Sequence, residues 1–179
     1  MDSLPAVEIV PTRYPQSCAS ISLYLFLLLD RFLPAPPKLA LSVGSGPGLL
    51  EAMFLAASPG RVTEPVSFYG VEVATSEGQQ PVNRYLPEQN TLTVPGTWAV
   101  AGDVLDETEG LLFVYPRSPA LIKEYLDKGK GVKVAIWIGP NCDIAEMTAP
   151  LGSWGVDQKV WQSEEILEGG EAVMVFERE

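Results

Sequence analysis

The sequence predicts an α/β domain in which a mostly parallel sheet of seven strands carries helices on both faces and ends in an antiparallel hairpin. Short apolar runs alternate with amphipathic segments over most of the chain, which is the pattern of parallel strands joined by helices. One of these runs, 39–43, passes through three closely spaced glycines into an apolar helix. Near the end, Gly169-Gly170 separates two strand candidates and suits an antiparallel reversal.

The elements follow one another along the chain. The strand candidates are 39–43, 66–73, 97–104, 111–115, 132–138, 159–163 and 172–176. A helix is predicted directly after the three glycines, with a stop at Ser58-Pro59-Gly60. Further helices are predicted over 119–128, which has one apolar face, and over 81–86 and 142–148. The polar stretch 75–96 is interrupted by prolines, and we expect it to be mobile.

The N-terminal part is predicted to differ from the rest. Residues 1–16 are proline-rich and suggest an extended arm, and Ser17 is a candidate N-cap for a helix over 18–33. This helix is apolar on nearly every side between Leu23 and Leu29, so it is either buried in the chain or covered by a partner, such as a second copy. The prolines after it separate an arm and helix, 1–36, from a domain over 37–179.

The glycine-rich turn is the most informative feature. Gly44, Gly46 and Gly48 alternate with Ser45 and Pro47 in the pattern G-x-G-x-G. Glycine permits positive φ and close approach of a ligand, and the following helix start offers free N–H groups. The spacing differs from the dinucleotide pattern G-x-G-x-x-G, and no Gly-Lys-Ser/Thr of a P-loop follows.

With its flanking strand and helix, this turn resembles the first motif of the class I S-adenosylmethionine-dependent methyltransferases. The resemblance implies a Rossmann-like fold over 37–179 and S-adenosylmethionine as the cofactor, bound in part by Gly44, Ser45, Gly46 and Gly48. Glu72 lies 24 positions after Gly48 at the end of the second strand candidate, where a carboxylate can accept both hydroxyl protons of a ribose diol.

The resemblance also implies an adenine contact at the end of the third strand candidate, where Asp103 and Val104 follow a glycine. The chain departs from the family at three places. Ser42 stands where many members have a carboxylate two residues before the first loop glycine. The fourth strand candidate opens without an acid, and the Asn/Asp-Pro-Pro-Tyr motif of some amine and amide methylating subfamilies is absent after it.

Candidate catalytic residues follow the fourth and fifth strand candidates, because ligands of such sheets bind beyond the carboxyl ends of the strands. Tyr115 could orient or deprotonate an acceptor, and Arg117 could pair with an acceptor carboxylate. Asp143 or Glu146 could act as a base. We also expect the N-terminal arm, with Arg13 and Tyr14, to fold over this mouth, and Trp154 is a candidate for acceptor contact.

Composition excludes several classes of function. The formal net charge is −11, and all of it falls after residue 63, which disfavours nucleic acid as a partner. The chain has no histidine, and Cys18 and Cys142 are far apart, so we expect no metal site. The apolar run in the N-terminal helix is too short to span a membrane. The first residues lack the positive region of a signal peptide, and we therefore expect a cytoplasmic protein.

Two functions remain open at this point. The first is methyl transfer from S-adenosylmethionine to an oxygen or nitrogen of a small molecule, or to a protein acceptor. The second is a non-catalytic methyltransferase-like subunit that binds a partner through the helix between Leu23 and Leu29. A nicotinamide-dependent oxidoreductase fits less well, because it needs the other glycine spacing.

Overall fold

The computed structural model describes residues 3–63, 65–74, 83–155 and 157–178. Within them, seven strands form a single sheet in the order β3-β2-β1-β4-β5-β7-β6. The strands are β1 Leu39–Val43, β2 Phe68–Val73, β3 Thr91–Val94, β4 Thr108–Val114, β5 Val134–Pro140, β6 Asp157–Trp161 and β7 Glu171–Glu177. The pairs from β3 to β5 are parallel, whereas β7 runs antiparallel to both β5 and β6. The predicted fold class is therefore confirmed.

Helices cover both faces of this sheet. They are α1 Leu23–Phe32, α2 Leu49–Ala57, α3 Gly102–Leu105, α4 Pro119–Lys128, α5 Ile144–Met147 and α6 Ala149–Trp154. One hydrophobic cluster joins α1 and α2 to the sheet, and a second joins α3, α4 and α6 to the other face. Every residue of β1 is buried, as expected of a central strand between two parallel neighbours. None of the described helices is long and apolar enough to cross a membrane.

The N-terminal helix starts later than predicted. Thr12 and Ile21 pair as an antiparallel bridge, so the chain is still extended where the helix 18–33 was expected to begin. Ser22, not Ser17, is the N-cap, and its hydroxyl accepts a hydrogen bond of 3.0 Å from the Leu25 amide.

The helix packs on α2 through one face and leaves the other exposed. Phe26 contacts Phe54 of α2 with ring centroids 5.8 Å apart. Arg61, itself buried, donates to the carbonyls of Asp30 and Leu33 and to the Asp30 carboxylate, which satisfies acceptors at the C-terminal end of α1.

The third strand was predicted in the wrong place. Residues 97–101 form a turn and an irregular segment, and Asp103 lies on the short helix α3. The strand that pairs with β2 is Thr91–Val94, whose Leu92 and Val94 side chains join the hydrophobic cluster on the α4 face. These four residues lie in the stretch 75–96 that was expected to be mobile; its residues 75–82 lie outside the described part.

Two short helices also differ from the prediction. Residues 83–86 form a bend instead of the end of a helix; Pro81 and Val82 lie outside the described residues. The helix expected over 142–148 is a 3-10 turn, Asn141–Asp143, followed by α5 and α6. The fifth and sixth strands are shifted by about two residues from their predicted bounds, which is the usual uncertainty of element ends.

Candidate functional site

The three glycines form the turn between β1 and α2. Gly44, Gly46 and Gly48 have φ values of 78°, 55° and 78°, which L side chains rarely adopt. The Gly44 and Ser45 amides donate hydrogen bonds of 2.9 and 3.1 Å to the Val71 carbonyl of β2. The turn is thus anchored to the neighbouring strand, and glycine is required at each of its three alternate positions.

Glu72 lies next to this turn, as the sequence predicts. Its Oε2 accepts a hydrogen bond of 2.7 Å from the Gly46 amide, and its Oε1 accepts one of 2.8 Å from the Val73 amide. A carboxylate oxygen has two lone pairs, so each oxygen retains one acceptor position for the hydroxyl groups of a diol.

The turn has room for a ligand on one side. A Cβ built on Gly44 or Gly46 would meet no atom within 4 Å. A Cβ on Gly48 would lie 2.6 Å from Asn83 Oδ1 and 2.9 Å from Leu86 Cβ. The Ser45 hydroxyl is buried and has no hydrogen-bond partner among the described residues. Glycines open to approach and an acid with free lone pairs fit a nucleoside cofactor.

A buried acid under the turn was missed by the sequence reasoning. Ser42 Oγ donates a hydrogen bond of 2.6 Å to Oε1 of Glu51, on the first turn of α2. Glu51 is 2% exposed, and its Oε2 has no partner among the described residues. Burial raises the pKa of Glu51 to about 7. The signal was a lone acid in the otherwise apolar helix LLEAMFLAA.

Asp103 and Val104 do not lie beside the glycine turn. The Val104 carbonyl accepts a hydrogen bond of 2.8 Å from Thr108 Oγ1 at the first residue of β4, and Thr108 pairs with Leu39 at the start of β1. Val104 is therefore at the amino edge of the sheet, opposite the glycine turn, and Asp103 is its exposed neighbour. An adenine contact by Asp103 stays a prediction that this placement does not support.

Tyr115 lies at the carboxyl edge, directly after β4. Its phenol donates a hydrogen bond of 2.5 Å to Glu171 Oε1 on β7, and its backbone has φ 49°. Non-glycine residues with positive φ are frequent at functional sites. Burial, with Glu171 as the second cause, raises the pKa of Tyr115 well above its usual range. Tyr115 therefore keeps its proton, and this geometry favours a positioning role over the base role considered from sequence.

The N-terminal arm reaches this mouth, as expected. Arg13 Nε lies 2.8 Å from Glu168 Oε2, and a second guanidinium nitrogen lies 3.2 Å from Glu171 Oε1. Ser20 Oγ donates a hydrogen bond of 2.5 Å to Glu171 Oε2 and accepts one from the Glu168 amide. The hydrogen bond to Glu168 is the main cause that raises the pKa of Arg13. The arm is thus fastened to the start of β7.

The other two catalytic candidates are at the same edge but form no bond to Tyr115. Arg117 is exposed and makes no hydrogen bond or ion pair within the described part of the chain. Asp143 closes the 3-10 turn after β5 and accepts a hydrogen bond of 3.4 Å from Cys142 Sγ. That bond is the main cause that raises the pKa of the Cys142 thiol, which disfavours the thiolate.

Trp154 is not at the mouth. Its ring lies 5.0 Å from the Arg178 guanidinium, and the Arg178 amide donates to the Lys133 carbonyl just before β5. This contact places Trp154 at the amino edge of the sheet, which contradicts its expected contact with an acceptor.

Comparison with known proteins agrees with this architecture. No family model and no curated protein matches the chain. Three solved structures that resemble it are a precorrin-6y C5,15-methyltransferase from Geobacter metallireducens, a precorrin-8w decarboxylase from Methanobacterium thermoautotrophicum and an S-adenosylmethionine-dependent O-methyltransferase from Thermotoga maritima.

The first of these has a TM-score of 0.61 and 11% identity over 99% of this chain and 100% of that chain. The second has a TM-score of 0.56 and 11% identity over 97% of this chain and 99% of that chain. The third has a TM-score of 0.55 and 12% identity over 87% of this chain and 63% of that chain. The chain has the fold of the class I S-adenosylmethionine-dependent methyltransferases.

Proposed function

We propose that this protein transfers a methyl group from S-adenosylmethionine to an oxygen or nitrogen of a small molecule, with a protein as the next candidate acceptor. The observation that carries the proposal is the 2.7 Å hydrogen bond from the Gly46 amide to the Glu72 carboxylate. It sets an acid with free lone pairs against a turn whose three glycines have positive φ, which is the chemistry that a ribose diol on a nucleoside requires.

The cofactor would be held by this turn and by Glu72. Gly44 and Gly46 leave space for close approach. When bound, S-adenosylmethionine supplies a methyl group activated on a sulfonium; the protein has to align the nucleophile and exclude water. The likeness to several methyltransferases of known structure supports this class of reaction.

The acceptor would enter over the carboxyl ends of β4 and β5. Arg117, exposed and without a described partner, would pair with a carboxylate of the acceptor. Asp143 and Glu146 remain as candidate bases, because Tyr115 is already bonded to Glu171. The solved structures that resemble the chain include both a carbon and an oxygen methyltransferase. The net charge of −11 argues against nucleic acid as the acceptor.

Calorimetric titration with S-adenosylmethionine and S-adenosylhomocysteine tests the proposal, with NADH as the control ligand. We expect micromolar binding of both sulfur ligands and none of NADH. Glu72→Ala should lose this binding, whereas Glu124→Ala, on the exposed face of α4, should retain it. A folded wild-type protein that binds neither sulfur ligand would rule out the transferase.

A second function, as a non-catalytic partner subunit, rests on the outer face of α1. Leu23, Tyr24 and Leu27 are exposed there, Leu27 by 56%, and exposed apolar patches mark interaction surfaces. Light scattering would test it: wild type larger than a monomer and Leu27→Glu monomeric, without any cofactor binding, would favour the subunit over the enzyme.

A further inference from the structure

The bond between Ser42 and Glu51 closes the base of the glycine turn. Ser42 is two residues before the first glycine of the turn, and Glu51 is three residues after the last. Their side chains meet at 2.6 Å, so the strand before the turn and the helix after it are joined by one hydrogen bond to a carboxylate. A change in the charge of Glu51 therefore acts on both ends of the turn.

Besides Ser42, the groups that stabilise a negative charge on Glu51 are its own backbone N–H and the N-terminal end of α2, on whose first turn it lies. Glu51 is 2% exposed, and its Oε2 lacks a partner within the described residues. Ser42 on β1 supplies a neutral hydroxyl, and α1 packs on α2 through the apolar ring of Phe26. The charged group of the described chain that acts on Glu51 is Glu72 of β2, which is negative as well. A cation bound at the turn would be the missing counter-charge.

The two ligands of a methyl transfer differ by one such charge. S-adenosylmethionine carries a sulfonium, and S-adenosylhomocysteine carries a neutral thioether with the same diol, base and amino acid end. A buried anion in a medium of low dielectric interacts strongly with a nearby cation and weakly with a neutral sulfur. A carboxylate at the base of the turn can therefore distinguish cofactor from product by charge alone.

We propose that Glu51, held by Ser42 at the base of the glycine turn, is a positioning residue whose ionised carboxylate makes the site prefer cationic S-adenosylmethionine over neutral S-adenosylhomocysteine. This inference rests on the function proposed above. Because burial raises the pKa of Glu51 to about 7, its carboxylate is part protonated near neutral pH. Binding of the cation then releases a proton, and by linkage the affinity for S-adenosylmethionine rises with pH.

The test is calorimetry of both ligands from about pH 6 to 8 on wild type, Glu51→Gln and the exposed control Glu124→Gln. A shift of one unit in the pKa of Glu51 corresponds to about a tenfold change in affinity, so we expect the preference for S-adenosylmethionine to fall by about tenfold in Glu51→Gln at pH 8. The pH dependence that remains in Glu51→Gln measures the titration of the ligand amine. Glu124→Gln should behave as wild type.

Titration in phosphate and in Tris buffer, which differ in ionisation enthalpy, counts the protons released. We expect wild type at pH 7 to release more protons with S-adenosylmethionine than with S-adenosylhomocysteine, and Glu51→Gln to lose the difference. In Ser42→Ala, loss of the hydrogen bond that lowers the pKa of Glu51 should move the midpoint of the pH dependence upward, which a merely structural role would not do.

The possible outcomes of these titrations distinguish a failure of the proposed function from a failure of the role inferred for Glu51. If wild type binds neither ligand at any pH, the proposed function fails and this inference with it. If both ligands bind with the same ratio in wild type and Glu51→Gln, the function stands and the inference is wrong. If Glu51→Gln does not fold by circular dichroism, the proton count on wild type and Ser42→Ala decides, and equal release for the two ligands would overturn the inference.

Discussion

The Tyr115 hydroxyl donates a hydrogen bond of 2.5 Å to Glu171 Oε1, so that the residue after β4 is joined to the first residue of β7. Tyr115 reaches this partner with a backbone φ of 49°, a conformation that is unfavourable for an L residue by about 1–2 kcal/mol. The Glu171 side chain is 2% exposed, and Ser20 and Arg13 also contact it. The N-terminal arm and the end of β4 thus meet on one carboxylate of β7 at the mouth.

Tyr115→Phe should destabilise the fold modestly and leave the cofactor site intact. The variant removes one hydrogen bond to a charged group, worth about 1.5–3 kcal/mol, while Ser20 and Arg13 still contact Glu171. Urea unfolding would measure the loss, and calorimetry should give unchanged binding of S-adenosylmethionine.

The same variant tests whether Tyr115 ionises. The pKa of Tyr115 is raised by burial and by Glu171, so the tyrosinate absorbance of wild type and Tyr115→Phe should coincide up to about pH 11, above the usual tyrosine pKa of about 10. An extra ionising tyrosine in wild type near pH 10 would restore Tyr115 as a candidate base.

Alanine at Gly44 and at Gly48 should have different effects, although both residues have φ 78°. The backbone penalty of about 1–2 kcal/mol applies to both. At Gly48 the new methyl group would also lie 2.6 Å from Asn83 Oδ1 and 2.9 Å from Leu86 Cβ, and such overpacking adds about 1–3 kcal/mol. Urea unfolding should therefore rank Gly48→Ala as the less stable variant.

Ligand binding should be impaired in Gly44→Ala, the variant that is expected to be the more stable of the two. A Cβ on Gly44 meets nothing in the protein, so it would enter the space that a ligand approaches, and we expect Gly44→Ala to bind S-adenosylmethionine more weakly than its stability alone explains. Calorimetry at a temperature where both variants are folded checks this, and equal binding by Gly44→Ala and wild type would contradict it.

Local signals predicted part of the fold and failed at β3. The helix predicted over 119–128 is α4, and the structure adds Ser118 as its N-cap before Pro119. At 97–104, an apolar run with Trp98 suggested a strand, yet Trp98 is 74% exposed. The strand Thr91–Val94 was overlooked because prolines flank it. Its pairing with β2 decided the outcome, and pairing is not encoded in local periodicity.

The candidate site, like the fold, could be predicted only in part from the sequence. The glycine turn and Glu72 follow a fixed order along the chain, and the structure joins them at 2.7 Å. Glu51 and Glu171 acquire their importance from Ser42 and Tyr115, whose positions are 9 and 56 residues away. An acid in an apolar helix or at a strand start has no distinguishing pattern until the fold supplies its partner.

Arg13→Ala should loosen the N-terminal arm with little effect on global stability. The Arg13 side chain is 50% exposed, so solvent screens its ion pairs with Glu168 and Glu171, and we expect a loss below about 1 kcal/mol in urea unfolding. A decrease of about 1 kcal/mol in the free energy needed to open the arm would increase the fraction of open molecules about fivefold. Hydrogen exchange of the Thr12 amide, which donates a hydrogen bond of 2.9 Å to the Ile21 carbonyl, should accelerate by that factor.

Arg31→Ala is the matched control for the arm. Arg31 is an exposed arginine on α1 whose guanidinium lies 5.2 Å from the Phe32 ring, outside the arm and its bonds to Glu168 and Glu171. Equal acceleration in both variants would show that the ion pairs of Arg13 do not hold the arm.

Glu51→Gln should make the unliganded protein more stable at high pH and not at low pH. The pKa of Glu51 is about 7 in the folded state against an ordinary value of 4.5, so the folded state binds this proton more tightly than the unfolded chain. The stabilisation that the bound proton of Glu51 adds to the free energy of unfolding is therefore fully present below about pH 4.5. It declines as the pH rises to about 7 and is lost above that, a difference of about 3 kcal/mol.

Glutamine stays neutral at every pH, so urea unfolding should give similar free energies for wild type and Glu51→Gln at pH 5. At pH 8 the variant should be more stable than wild type by about 2 kcal/mol. A stability difference between the two proteins that does not change with pH would show that Glu51 does not titrate in this range.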